Sequence, residues 1–318
     1  MQSTPEVRER YQAALNALTE KLEQDRYILA AIVYGSAARG EAWEKSDIDL
    51  EIIEQDGLGR NSRGLWLVEE GINISAHIYS RSEFKRLVDG ALQGSVSHSI
   101  RSHAKVLFCK DESIEAWFNE SDEIGERDKE FQLLRCGAGI PSLLDKCEKW
   151  LYAKDDPEYS FVWIMYVVNG LARIEVVMNG EAPGREVIHQ ALRYNPTFFK
   201  AVYTDLIHGP KDRDTIEKAL DLLNGYMRER AQVVFKPILD YLNEADGIRT
   251  ATEMNEFFRK KVSGEDIFGP PDLFWAYEWL ARHNIVEKIS SPIRLTKKSQ
   301  VTMEEPAFFY DDEEFDWE

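Results

Sequence analysis

Asp47 and Asp49 stand one residue apart in "SDIDLEII", among Ile48, Leu50, Ile52 and Ile53. Alternate side chains of an extended segment share a face, so both carboxylates point the same way, with Glu51 next in the row. Like charges on one half-buried face repel unless a cation compensates them or solvent screens them. Taken alone, Asp-x-Asp fits a solvent-facing sheet edge as well as a metal clamp. Upstream, "AIVYGSAARG" carries an apolar run into Gly35-Ser36 and then a short helical stretch. Glycine lets the backbone turn tightly and approach a phosphate closely. The first amides of a following helix are unpaired and favour anions, and Ser36 adds a hydroxyl donor. An anion cradle facing two parallel carboxylates suits a nucleoside triphosphate with Mg2+, a cation that takes oxygen ligands and keeps phosphates as partners. The corresponding chemistry is transfer of the α-phosphoryl group, with pyrophosphate leaving.

The elements that must hold these residues follow from periodicity. "EVRERYQAALNALTEKLEQD" has apolar residues at helical spacing, and "YILAAIVY" reads as a buried strand ending at Gly35. "SDIDLEIIEQ" is the second strand, and "DGLGRNSRG" between Asp56 and Gly64 reads as a polar loop. "GINISAHIYS" alternates, with Ile72, Ile74, Ala76 and Ile78 on one face and Asn73, Ser75 and His77 on the other. A helix, "RSEFKRLVDGAL", and a last strand, "HAKVLFCKD", complete a sheet of three or four strands with helices over one face, closing near residue 120. Residues 126–245 turn helical, with breaks such as Asn179-Gly180 and Gly209-Pro210, and read as a bundle. Residues 247–318 give a helix from "FGPPDLFWAYEWLARHN", two short strands around the Ser-Ser-Pro of "IVEKISSPIRLT", and one more in "VTMEEPAFFY", the outline of a winged-helix module. The expected architecture is α/β (α+β): a small mixed-sheet domain over 1–120, a helical bundle over 126–245, and a small C-terminal module with an acidic tail.

Composition narrows the function classes. With 57 acidic and 39 basic residues the formal charge is −18, which argues against general nucleic-acid binding, since that needs lysine and arginine to displace condensed counterions. Part of the excess lies in the tail "DDEEFDWE", which reads as a solvated end. The basic residues Arg294, Lys297 and Lys298 of the C-terminal module are too few to reverse this. The richest apolar run, "FVWIMYVVNGLA", is short for a membrane span and runs into Arg173 and Glu175, which fit a buried pair or a substrate contact. "MQSTPEVRERYQ" lacks the apolar core of a signal peptide. Cys109, Cys136 and Cys147 do not have the spacing of a zinc site or a disulfide framework; Cys136 and Cys147, three turns apart, fit the buried side of one helix. The expected location is the reducing cytoplasm. Trp150, Trp163 and Tyr166, at helical spacing, read as core.

Gly-Ser, ten residues, then Asp-Ile-Asp resembles the signature of the DNA polymerase β-like nucleotidyltransferase superfamily. The segment "VVNGLARIEVVMNGEAPGREVIHQALRYNP" is similar, more loosely, to the second domain of aminoglycoside adenylyltransferases, through Arg173-Ile174, the turn from Gly180 to Arg185, and Pro196. The resemblance implies that Asp47 and Asp49 are catalytic metal ligands for Mg2+. It also implies that Gly35 and Ser36, with Ser46 beside Asp47, hold the triphosphate of ATP. Arg39 bridges phosphate or pairs with Glu41 or Glu44. A third carboxylate expected on the next strand is missing: its open face offers Asn73, Ser75 and His77. His77 is a candidate proton acceptor or a plain surface histidine, and Glu51, Glu69 and Glu70 are alternative acids. Arg101, His103, Lys105 and Lys110 form a basic patch that fits a solvated strand end or an anion contact. The implied activity is transfer of AMP from ATP to a hydroxyl of a small, aminoglycoside-like acceptor held between the first domain and the bundle. Modification of a protein or RNA end, or nucleotide sensing by a catalytically impaired regulator, are the alternatives.

Overall fold

The computed structural model describes residues 4–58, 62–89, 104–119, 126–244, 247–259, 261–262, 272–296 and 298–310. Helix α1 (Pro5–Gln24) starts where Thr4 accepts a hydrogen bond from the Val7 amide at 3.3 Å and proline occupies the first turn, where a missing N–H costs least. Its Val7, Tyr11, Ala14, Leu15 and Leu18 recur every three or four residues and are buried. That stripe lies on the first sheet.

The sheet contains β1 (Ile28–Tyr34), β2 (Ile48–Glu54), β3 (Arg63–Glu69), β4 (Ile72–Ser80) and β5 (Lys105–Cys109), in spatial order β3-β4-β2-β1-β5. β4 runs parallel to β2, and the remaining pairs are antiparallel. Segment 63–69, expected in part as loop, is thus a strand. Its alternation is weak because apolar residues occupy both faces. Arg63 secures this edge strand through two hydrogen bonds to the buried Glu54, at 2.9 and 3.0 Å.

Both sheet faces are covered, not one as expected. On one face Val33, Leu50, Ile52, Ile74, Ala76 and Ile78 join the α1 stripe. On the other, Ala30, Ile32 and Ile53 pack with Phe84 of α3 (Arg81–Asp89) and Ile114 of α4 (Glu112–Asn119). These two helices cover only one end of their face. Asp49, Ser75 and His77 lie on the same face, beyond the cover.

The chain divides into two compact units, Met1–Ile124 and Gly125–Glu318. In the second, α5 (Glu126–Ala138), α6 (Ile140–Glu148), α7 (Pro157–Met178), α8 (Val187–Tyr194), α9 (Arg213–Glu229) and α10 (Lys236–Glu244) precede a three-stranded sheet. That sheet, in order β6-β8-β7, contains β6 (Arg249–Thr250), β7 (Glu287–Ile293) and β8 (Met303–Phe309), with α11 (Ala251–Phe258) and α12 (Phe274–Arg282) beside it. One continuous core runs from Leu133 through Leu171 and Met227 to Trp279 and Phe308, so bundle and C-terminal elements share an interior instead of forming two modules. The Ser-Ser-Pro segment is not a turn: β7 passes straight through it. Pro292 is tolerated there because β7 is an edge strand. Cys136 and Cys147 lie on separate helices, because Gly139 ends the first and Pro141 starts the second. Helix α7 is longer than the apolar run implied. By length and composition it passes for a membrane span, yet half of its most apolar window is buried inside this unit.

Candidate active site

β1 ends at Tyr34, the register partner of Asp49. Gly35 follows with φ 69° and opens the five-residue helix α2 (Gly35–Arg39). A side chain in that left-handed conformation costs about 1–2 kcal/mol. The steric demand is sharper, since a Cβ at position 35 would stand 2.4 Å from Oδ2 of Asp49. The Gly-Ser turn and the second aspartate are therefore immediate neighbours. A group gripped by Asp49 also meets the backbone of the turn. Gly40, with φ 73°, closes α2, and the Glu41 amide donates to the Ser36 carbonyl at 2.9 Å.

The chain returns through the turn 43–46. The Ser46 amide donates to the Trp43 carbonyl at 2.9 Å, and the Trp43 amide donates to Ser46 Oγ at 3.1 Å. Tyr11 of α1, 4 % exposed, locks this turn from beneath: its hydroxyl lies 2.9 Å from the Trp43 carbonyl and also meets the Ser46 carbonyl. Burial pushes the Tyr11 phenol up, partly opposed by Arg10 and reinforced by the charge of Asp47, so it stays a donor. Asp47 emerges from this anchored turn, and both aspartates are half-buried. Sequence reasoning missed Tyr11, whose helical apolar spacing signals core and not the turn it supports.

Across β4, Asp49 stands beside Ser75, and Glu51 stands beside His77. Ser75, not His77, thus occupies the position next to the second aspartate. His77 is exposed and stacks on Tyr79 with centroids 6.1 Å apart. Glu51 is 7 % exposed, buried in the row whose β4 member is the exposed His77. Glu69 does not reach this face: it pairs with Ile72 on the α1 side and binds Lys21 at 2.6 Å. Glu70 sits in the β3–β4 turn with φ 49°. Arg39 pairs with Glu41 at 2.8 Å, the second of its two expected roles. Ser46 spends its hydroxyl within the turn. Lys110 donates to the Glu23 and Asp25 carbonyls at the end of α1, whereas Arg101 and His103 lie outside the described residues, as does the acidic tail.

The donor set suits a hard cation that retains water and phosphate: two carboxylates beside a turn kept free of a Cβ. Among the described residues no cluster of three acidic, histidine or cysteine side chains forms a complete protein cage.

In the second unit Arg173 and Glu175 do not pair with each other. Arg173 donates to Asn169 at 3.3 Å, while the buried Glu175 accepts from the Tyr226 hydroxyl at 2.7 Å. Tyr166, expected in the core, is 39 % exposed.

Residues 16–113 match the family described as polymerase beta, nucleotidyltransferase, a span that contains the Gly-Ser turn, both aspartates and β4. A nucleotidyltransferase-like protein from Exiguobacterium sibiricum has the same fold, with a TM-score of 0.61 at 16 % identity, over 94 % of this chain and 99 % of that one. No curated protein matches the chain. Within its first unit, this chain carries a nucleotidyltransferase domain of the DNA polymerase β-like superfamily.

Proposed function

We propose that this chain is a Mg2+-dependent nucleotidyltransferase that moves AMP from ATP to a hydroxyl of a small acceptor. The observation that carries the reading is the closeness of the Gly35 turn to Asp49: a Cβ at position 35 would meet the Asp49 carboxylate, and the positive φ there favours glycine. Asp47 and Asp49 would hold the metal, whose contribution is neutralisation of triphosphate charge. The Gly35-Ser36 backbone and the Ser36 hydroxyl bind the leaving phosphates. The acceptor oxygen forms a bond to the α-phosphorus, the α–β anhydride bond breaks, and pyrophosphate departs. The hydroxyl proton passes to His77 by way of water, because the register sets Ser75 beside Asp49 and His77 one row further along β4, beside Glu51. Tyr11 keeps the 43–46 turn, and so Asp47, in place. Three free cysteines fit a reducing cytoplasm. A cationic, aminoglycoside-like acceptor is consistent with the acidity of the chain.

The test is thermal unfolding with ATP, GTP, CTP or UTP, each with and without Mg2+, in the natural protein and in Asp47→Asn/Asp49→Asn. A nucleotide at 100 times its Kd stabilises by about 2.7 kcal/mol. A metal-dependent rise in the midpoint, absent from the double variant, is the expected result, and the nucleotide that produces it is the donor. Unchanged nucleotide binding in the double variant would overturn the reading. A second reading, a sensor that binds without turnover, is favoured by Ser75, where a third carboxylate was expected, standing beside Asp49. It predicts the same midpoint shift with no transfer of label from [α-32P]ATP to any acceptor.

A further inference from the structure

Trp66 is 74 % exposed and Val68 67 % exposed, both on β3, an edge of the sheet. A bare indole on an unpaired strand edge is an aggregation hazard that folding alone does not call for. Register shows where it points. Trp66 opposes Ser75, Val68 opposes Asn73, and Gly64 opposes His77; across β4, Ser75 stands beside Asp49. Paired residues share a face, so Trp66, Ser75 and Asp49 form one row over three strands. At about 4.8 Å per strand, the indole lies roughly 10 Å from the second aspartate.

We propose that this face of β3 and β4 is the floor of the acceptor site, with the Trp66 indole carrying a hydroxylated, uncharged or cationic ring of the acceptor. The inference rests on the nucleotidyl-transfer reading and deepens it. In-line displacement places the entering oxygen opposite the leaving group. Pyrophosphate is held at Gly35-Ser36, which follows β1, so the entering oxygen comes from over β4 and the body of the acceptor extends over β3. Strand order thus lays out leaving group, phosphorus, nucleophile and acceptor in sequence. The floor positions Trp66, Val68, Asn73, Ser75 and His77 include no lysine or arginine, so nothing there recruits a phosphate backbone, and an RNA end is disfavoured as acceptor. An indole face instead accepts the C–H side of a sugar ring or an ammonium group. Gly64 leaves the edge of His77 uncovered: a Cβ there would come within 3.7 Å of its Nε2.

The experiment follows the indole N–H resonances in 1H–15N spectra, with Trp66 assigned by its loss in Trp66→Phe. The probes are Mg2+ with α,β-methylene-ATP, followed by kanamycin A as a polycationic ring compound and maltose as a neutral one. The expected result is a saturable shift of the Trp66 signal with at least one ring probe. Trp66→Ala should then weaken that probe by about tenfold while the nucleotide-induced rise in the unfolding midpoint stays intact. A Trp66 signal that moves with nucleotide alone would put the nucleobase on the indole and overturn the assignment. Ring binding untouched by Trp66→Ala, or no response to either ring probe, overturns it as well. Loss of the nucleotide arm itself would instead count against the parent reading, so the two failures are separable.

Discussion

Gly35 satisfies two demands at once, a positive φ and an empty Cβ position against Asp49. Gly35→Ala should therefore cost about 1–2 kcal/mol through the backbone, and it should also push the Asp49 carboxylate aside. The expected outcome is a modest fall in the unfolding midpoint together with loss of Mg2+-dependent nucleotide binding, checked by denaturant titration and calorimetry on one preparation. Tyr11→Phe makes a different prediction. It removes the donor to the Trp43 and Ser46 carbonyls without opening a cavity, and should cost about 1–2 kcal/mol. Because the freed turn presents Asp47, the metal concentration needed for half-maximal nucleotide binding should rise more than the nucleotide Kd at saturating metal. Equal effects on both would reduce Tyr11 to a stabilising residue. Cys147, by contrast, has no chemistry to offer, since burial pushes its thiol up and keeps it protonated.

Among the elements, α3 and α4 decide how much of the sheet face stays open. Phe84 is wholly buried against Ile53 and Ile114. Phe84→Ala should cost about 3–5 kcal/mol, read as an earlier urea midpoint. The two helices are tied by Asp111, which accepts from Ser113 Oγ at 2.6 Å and from Arg81 Nε at 2.6 Å, while Arg81 also lies over the Trp117 ring at 4.8 Å. The Ser113 hydroxyl and the Arg81 guanidinium hold the Asp111 carboxyl below its ordinary value of 3.8. A lowered pKa stabilises the fold above the unfolded value and is lost as pH falls through the folded one. The stability gap between the natural protein and Asp111→Asn should accordingly be flat from neutral pH down to about 4 and close only in stronger acid. A gap that closes near pH 6 would exclude this ion pair as its origin. β3 shows where element assignment from sequence weakens. "RGLWLVE" is apolar on both faces, so period alone does not report a strand with one face on α1 and the other beside the active site.

For the whole molecule, the charge of −18 predicts that no duplex or single-stranded nucleic acid is retained, even at low salt. An electrophoretic shift with RNA at 50 mM salt would contradict both that expectation and the acceptor floor argued above. The sequence by itself determined the local pieces: Gly35-Ser36 after a buried strand, Asp49 in the next strand with Asp47 just before it, and α1 as an amphipathic helix. These are consequences of local backbone conformation and of short periods, so they survive without knowledge of neighbours. Only the tertiary structure decided that β4 lies parallel to β2, which sets Ser75 and not His77 beside Asp49. It also decided that Glu69 turns to Lys21 on the far face, that Tyr11 reaches across more than thirty residues to the turn before Asp47, and that the second unit closes its C-terminal strands into the core of its helices. Those outcomes rest on pairing and burial between segments distant in sequence, where many partners share the same local pattern and the choice among them is made by which arrangement buries the most apolar surface without stranding a polar group.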